Sequence, residues 1–245
     1  MKKKVIVIVG SLNENSRTNL FLEKILAKLN TLDRNYSYEI LNLKNYKINY
    51  CKGCQECFKS GKCINDFTDD MYKIRYKLKI AEIIIFASPV YANNISGITK
   101  SIIDRLIYEA HTLSLAGKLG FVLSTTHSSG VENVNDYLKT TMQHLGIKCL
   151  NTYSISYAKI RNFDNNTIDN FIYDISYDMY MNLKNNVSYS NLFLEKLFKF
   201  YKTLYSNKKQ IDYTEYEEKY WNQEWILKTY SFQEYAKKIN EIRRD

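Results

Sequence analysis

The spacing of apolar positions along this chain changes from strand-like to helical and back, then stays helical. Lys4–Val9 is a short β-branched run ending at Gly10, which predicts a buried parallel strand. Over Thr18–Leu29 the residues Leu20, Phe21, Leu22, Ile25, Leu26 and Leu29 form a helical stripe. Tyr36–Leu43 predicts a second strand through Tyr38, Ile40 and Leu41. Thr68-Asp69-Asp70 predicts a helix start, with Thr68 as cap and the acids at the positive end. Ala81–Ala87 (AEIIIFA) is the clearest buried strand; it runs into Ser88-Pro89-Val90-Tyr91 and then a helix over Gly97–Tyr108. Leu119–Ser124 predicts a fourth strand with Thr125–Gly130 as its loop. Val131–Leu145 predicts a helix closed by Gly146, and Ile147–Ile155 a fifth strand. Five strands alternating with helices predict a parallel sheet covered on both faces.

Beyond this point only the helical period remains. Ile168, Phe171, Ile172, Ile175 and Met179 recur at spacings of three and four, Leu192–Leu204 is a second apolar helical run, and Ser231-Phe232-Gln233-Glu234 has the capping-box pattern. The tail that carries Trp221 and Trp225 predicts amphipathic helices packed on the first part or on another subunit. All 8 glycines lie between Gly10 and Gly146, and the single proline is Pro89. The tail needs no such residues because it is helix.

Composition sharpens this picture by exclusion. At 245 residues with 45% hydrophobic content the chain is neither a disulfide-stapled mini-protein, nor collagen-like, nor wholly disordered. The net charge is +9, and almost all of it falls in residues 1–155, which suits an anionic, phosphate-bearing ligand. Lys73, Arg75, Lys77 and Lys79 alternate with Ile74, Tyr76 and Leu78. No nucleic-acid module accompanies them, so a solvated helix face is expected and no nucleic-acid partner. No apolar run reaches membrane-spanning length. Val5–Val9 is too short for a signal-peptide core and no small-residue cleavage site follows, so a cytoplasmic protein is expected. In that compartment a tight cysteine cluster points to metal or redox work rather than structural disulfides.

Open parallel sheets bind ligands beyond the carboxyl ends of their strands, at the switch point of the strand order. Three loops leave such ends: Gly10–Thr18, Ser88–Gly97 and Ser124–Gly130. The first opens a helix, whose N–H groups and dipole favour a phosphate, and it adds Ser11, Asn13, Ser16, Arg17 and Thr18. It lacks both the dinucleotide fingerprint and the P-loop lysine. Pro89 restricts the backbone at the third strand end, and Tyr91 offers a flat aromatic surface. Asp104 and Arg105 read as a structural helix pair, His127 as a polar loop histidine, and Cys149 as a buried strand residue. Cys51-x2-Cys54-x2-Cys57-x5-Cys63 places four thiols in one compact loop. Gly53 and Gly61 give that loop freedom to wrap, and Lys52, Lys59 and Lys62 would offset an anionic cluster. The residues leave open a [4Fe-4S] cluster, free thiols, zinc or a redox disulfide such as Cys51–Cys54.

Ser88-Pro89-Val90-Tyr91, then Asn94-Ile95-Ser96-Gly97, then Ile103-Asp104-Arg105 resemble the signature of the flavodoxin-like NAD(P)H-dependent FMN reductases, and with the serine-rich loop the likeness covers residues 3–160. The resemblance implies a doubly wound five-stranded sheet of order 2-1-3-4-5, with residues 1–184 as an FMN-binding domain and residues 185–245 as a helical extension. It implies FMN phosphate on the first loop, and the flavin ring along Ser88, Pro89, Val90, Tyr91, Asn94 and Ser96. Thr125, Thr126 and Gly130 would close the other side. The cysteine spacing, in an inserted loop at 50–64, resembles the iron-sulfur flavoproteins, whose thiolates bind [4Fe-4S] near FMN. The implied activity is transfer of reducing equivalents from NAD(P)H or ferredoxin to a small-molecule or protein electron acceptor, in a homodimer or homotetramer. A non-enzymatic flavodoxin-type carrier and a ligand-free interaction module are the competing classes.

Overall fold

A computed structural model describes residues 2–186, 188–206 and 214–243. In chain order the elements are β1 (Lys3–Val9), α1 (Arg17–Leu32), β2 (Tyr36–Asn42), α2 (Glu56–Ser60), α3 (Met71–Ile80), β3 (Ile83–Pro89), α4 (Gly97–Ala110), β4 (Leu119–Thr126), α5 (Val131–His144) and β5 (Lys148–Ser156). They continue as α6 (Tyr157–Ile160), α7 (Asn165–Asn185), α8 (Leu192–Ser206), α9 (Glu215–Trp221), α10 (Glu224–Leu227) and α11 (Phe232–Ile242).

All five strands are parallel, as the alternating pattern predicts, and the sheet order is β2-β1-β3-β4-β5, the flavodoxin-like order that the resemblance implies. Alternation along each strand sorts the core into two layers. Ile6, Ile8, Ile84, Phe86 and Val122 face α3, α4 and α5, whose Ile74, Leu78, Ile102, Leu106, Val134 and Leu138 are buried against them. Val5, Val7, Ile83, Ile85 and Leu123 face α1 and α7 through Leu22, Ile25, Leu29, Ile172 and Met179. Fully buried strands cannot alternate with polar residues, which is why they read as continuous apolar runs.

A third apolar cluster belongs to the C-terminal helices. Leu194, Phe198, Trp221, Ile226, Phe232, Tyr235 and Ile239 are buried together with Leu113 and Ala116 of the α4–β4 connection. The extension also caps that connection's carbonyls. Trp221 Nε1 donates to His111 O (2.8 Å), Asn240 Nδ2 to Gly117 O (3.0 Å) and Arg243 Nη1 to Ala116 O (3.1 Å), and Tyr235 Oη bonds Thr112 O. A loop whose backbone acceptors would otherwise be buried unpaired thus gains partners from distant sequence.

Several local expectations need correction. Thr68 does not cap α3; its hydroxyl donates to Asn65 O at 3.0 Å, and Asp69 Oδ1 accepts the Met71 N–H at 3.1 Å instead. The basic stripe is not a wholly solvated face. Arg75 is buried and paired with Asp66 and with Glu109 (2.7 Å), Lys73 pairs with Asp70 (2.7 Å), and Lys77 pairs with Glu39. Gly97 opens α4 without a positive φ. Ser231 caps α11 through the Glu234 N–H (3.2 Å), while Glu234 reaches back to Tyr230 N (2.9 Å) rather than to the cap itself. Among the described residues no helix is long and apolar enough to cross a membrane.

Candidate functional site

The strand-end loops converge because parallel strands deliver all their carboxyl ends to one edge. Gly10 N–H donates to Ala87 O (2.7 Å) and Val90 N–H to Thr125 O (2.8 Å), so each loop starts as a continuation of the sheet. Thr18 Oγ1 and Thr125 Oγ1 share a hydrogen bond of 2.6 Å across 107 residues. Gly10 is ringed by hydroxyls. A Cβ there would lie 2.1 Å from Thr99 Oγ1, 2.9 Å from Ser96 Oγ and 3.1 Å from Ser88 Oγ. The cleft therefore requires glycine at its centre for close approach, not for an unusual φ.

The candidate flavin residues divide by what occupies their polar atoms. Ser16 accepts the Asn19 N–H (3.3 Å) and Ser96 the Thr99 N–H (3.4 Å), as N-caps of α1 and α4. Ser88 Oγ donates to Pro89 O (2.9 Å), and Ser11 Oγ accepts the Asn13 N–H at 3.3 Å. Thr126 Oγ1 donates to Ser129 O (2.6 Å). Asn13, Arg17, Tyr91 and Asn94 are exposed, with Tyr91 at 56%. The Arg17 guanidinium lies 3.6 Å from the centroid of the Tyr157 ring, so stacking fixes its direction. The N-terminus of the sixteen-residue α1 leaves first-turn N–H groups without helical acceptors.

Tyr91 and Asn94 exchange backbone hydrogen bonds of 2.8 and 3.0 Å, with Ala92 at φ 50° and Asn93 at φ 59°. This is a tight turn with both central residues left-handed. Asn tolerates that region, but Ala does so at a cost of about 1 kcal/mol. The turn meets the third loop, where a Cβ on Gly130 (φ 88°) would lie 2.5 Å from Asn93 Oδ1 and 2.9 Å from Val90 Cγ1. Nothing in the sequence marked Thr99 as part of the cradle, because that depends on the packing of α4 against the first loop.

The cysteine loop is attached differently. Its two ends are tied at a neck, where Lys47 N–H meets Asp70 Oδ2 (2.9 Å), Asn49 N–H meets Asp69 Oδ2 (2.9 Å), and Asn65 Nδ2 donates to Tyr50 O (3.0 Å). The fully buried Arg105 side chain closes the neck. Its Nη1 donates to Asn49 O (2.9 Å) and pairs with Asp69, and its Nη2 donates to Asp66 Oδ1 (2.7 Å). Burial alone would raise the Asp69 carboxyl, but the Arg105 guanidinium and the Asn49 and Met71 N–H groups outweigh it and hold the pKa below the ordinary value. Arg105 is therefore structural, as the sequence reading has it, but not as a pair with Asp104, which binds Lys100 instead.

Within the loop Gly53 and Gly61 adopt φ 66° and 71°. All four thiols are free, with Cys51 and Cys54 exposed and Cys57 and Cys63 half-buried. Burial, reinforced by the neighbouring Cys63, Cys54 and Cys51, pushes the Cys57 thiol up to about 11. The donor chemistry fits a thiolate-ligated cluster. Among the described residues, however, no group of three or more His, Cys, Asp or Glu side chains is arranged to hold a metal ion, so the thiols share a loop without a finished cage. Cys149 is half-buried against the α3–α5 layer, and burial raises its thiol to about 11. His127 is exposed, its ring centroid 5.6 Å from that of Tyr157.

Comparison with known proteins agrees with this geometry. The family model for NADPH-dependent FMN reductase matches residues 3–160. An iron-sulfur flavoprotein of Archaeoglobus fulgidus is 39% identical over 42% of this chain and 48% of its own length. Another from the same organism is 30% identical over 59% of this chain and 64% of its own. The chain thus spans roughly half to less than two thirds of the length of these relatives. A solved FMN-dependent NADH-azoreductase from Bacillus anthracis in complex with FMN superposes with a TM-score of 0.56 at 16% identity, over 76% of this chain and all of that one; it speaks to the fold alone. The chain belongs to the NADPH-dependent FMN reductase family, with iron-sulfur flavoproteins among its relatives.

Proposed function

We propose that this protein is an FMN-dependent NAD(P)H oxidoreductase that delivers electrons to a quinone, a flavin or another electron carrier. The observation that carries the reading is the meeting of three hydroxyl-rich strand-end loops at the β1/β3 switch point, where the fold class binds its ligands: the second closes on Gly10 through Ser88 and Ser96, and the third is bonded to the first through Thr125 and Thr18. Ser11, Asn13, Ser16, Arg17 and Thr18, at the positive end of α1, would hold the phosphate. Ser88, Pro89, Val90, Tyr91, Asn94 and Ser96 would run along the ring, opposite Thr125, Thr126 and Gly130. Bound FMN would supply the hydride-accepting ring and the exchange between two- and one-electron chemistry. The chain's own part is to fix a phosphate with backbone and hydroxyl donors, present an open ring face beside Tyr91, and keep the strand-end loops rigid.

Cys51, Cys54, Cys57 and Cys63 would ligate a [4Fe-4S] cluster. Support comes from four thiols in thirteen residues, from a neck that fixes both loop ends, and from the names of the relatives. Residues 1–184 would form the flavin domain and 185–245 an appended helical unit. Exposed Tyr50 (79%) and Phe67 (85%), on the cysteine loop and just beyond it, favour a homodimer or homotetramer that covers them. A cytoplasmic location follows from the cysteine usage.

Anaerobic purification with visible spectra and iron and acid-labile sulfide assays tests both cofactors. Steady NAD(P)H oxidation with added quinone is expected. Flavin bands without iron would remove the cluster and spare the flavin; bound FMN without turnover would leave an electron carrier.

A further inference from the structure

The C-terminal helices lie outside the family match, yet they reach the cysteine loop. Gly61 ends α2, with φ 71°, and its N–H donates to Cys57 O at 3.0 Å. The Tyr216 ring of α9 lies over it: a Cβ on Gly61 would come within 2.3 Å of Tyr216 Cε2 and 2.4 Å of Cδ2. Loop and extension are therefore fitted to one another at a position that admits only glycine, both by backbone conformation and by space.

A second contact meets the same short helix. Phe58 stacks on His111 with centroids 4.9 Å apart and an interplanar angle of 20°. His111 is fixed from the extension. Its Nδ1 lies 3.2 Å from Glu217 Oε1, its carbonyl accepts the Trp221 indole N–H at 2.8 Å, and its ring faces Tyr201 at 5.8 Å. The Glu217 side chain is fully buried, and Oε2 has no hydrogen-bond partner. A buried carboxylate with one partner binds that partner firmly, because losing it would strand the charge.

We propose that the C-terminal extension is a holder for the cysteine loop, in which Tyr216, and Glu217 acting through His111 of the α4–β4 connection, are positioning residues that seat α2 and so fix the place of Cys57 within the four-thiol loop. The proposal rests on the reading that these thiols bind an iron–sulfur cluster. It explains why α2 stays seated although no strand runs directly into the loop, and it assigns the extension a role that the family match does not reach. Arg105 grips the neck of the loop from inside the flavin-binding unit; Tyr216 grips its far end from the extension, as does His111 from the α4–β4 connection, where Glu217 and Trp221 of the extension hold it.

The test uses full-length Tyr216→Ala, Tyr216→Phe and Gly61→Ala proteins, with retained FMN as the check on folding. In anaerobic, metal-stripped protein, iodoacetamide labelling resolved by mass spectrometry should be about tenfold faster at Cys57 in Tyr216→Ala, the ratio that a loss of ~1.4 kcal/mol in seating produces. Cys149 is the internal control and should not change. Gly61→Ala should show the same effect with the tyrosine present. Tyr216→Phe should label like the parent, since the ring and not the hydroxyl makes the contact. After reconstitution with iron and sulfide, Tyr216→Ala should lose iron to a chelator faster than the parent while keeping its FMN. Unchanged Cys57 labelling in both Tyr216→Ala and Gly61→Ala would overturn the holder. A parent protein that takes up no iron, with labelling still faster in the variants, would instead remove the iron–sulfur reading and leave the seating.

Discussion

The flavin cleft and the cysteine loop are stabilised in opposite ways. The cleft is a by-product of the sheet: β1, β3 and β4 end together, backbone bonds such as Gly10–Ala87 and Val90–Thr125 start the loops, and hydroxyls of Ser88, Ser96 and Thr99 close around one glycine. Among the described residues no buried ion pair holds the cleft. The cysteine loop lies in the β2–α3 connection, eight or more residues beyond the end of β2, so no strand runs directly into it. It is held by charge at the neck, through Arg105, Asp66 and Asp69, and by aromatic contacts at its tip. A site built from strand ends inherits its geometry from the fold, whereas an inserted loop must obtain it from side chains far away in sequence.

If that contrast holds, each region should be breakable without the other. The largest effect is expected for Arg105→Ala, which leaves the buried Asp69 carboxylate without its cation and Asp66 with Arg75 alone, and should cost about 3–5 kcal/mol. Urea unfolding would measure it, and limited proteolysis should cut between residues 50 and 64 while FMN stays bound. Arg105→Lys should recover only part of this stability, since an ammonium cannot reproduce the two-pronged grip. Next comes Gly10→Ala, whose methyl group collides with three hydroxyls; a loss of about 1–3 kcal/mol is expected. FMN affinity should fall at least about tenfold by fluorescence titration, with cysteine labelling unchanged.

Ala92→Gly tests the strained turn beside the cleft. Glycine removes the left-handed penalty of alanine at φ 50° but adds freedom to the unfolded chain, so a net gain of at most about 0.5 kcal/mol is expected in thermal unfolding. The smallest effect near neutrality is that of pH. Asp69 has a depressed folded-state pKa, so its contribution is complete above the ordinary carboxylate range and is lost as pH falls through the folded value. Proteolysis of the cysteine loop should therefore be flat between neutral pH and that range and rise below it. A loop that opened on alkalinisation instead would show that the carboxylate clamp is not what holds it.

The strands and the helices of the sheet were legible because burial on both faces writes apolar runs, and amphipathic packing writes a period of three and four. The strand-end loops were legible for the same reason: once five parallel strands are assigned, their carboxyl ends must share an edge. The cysteine motif was legible as chemistry. Its attachment was not, since Arg105 reads as half of a helix pair with Asp104 and Asp69 as an acid at the start of a helix. Arg75 misled in the same way, because a basic stripe looks solvated until a buried carboxylate such as Glu109 is placed opposite it. Thr68 looked like a cap, but Asp69 bonds the Met71 N–H and Thr68 turns back to Asn65.

By itself the sequence determined a parallel sheet covered on both faces and the edge at which a phosphate-bearing ligand would bind, because periodicity is a local and cumulative property; the order of the strands came with the family resemblance of its motifs. Only the tertiary structure decided which charges point inward, that Gly10 is surrounded by hydroxyls, and that Tyr216 closes on Gly61. Those depend on residues tens to more than a hundred positions apart meeting in space, and no local pattern encodes such a meeting.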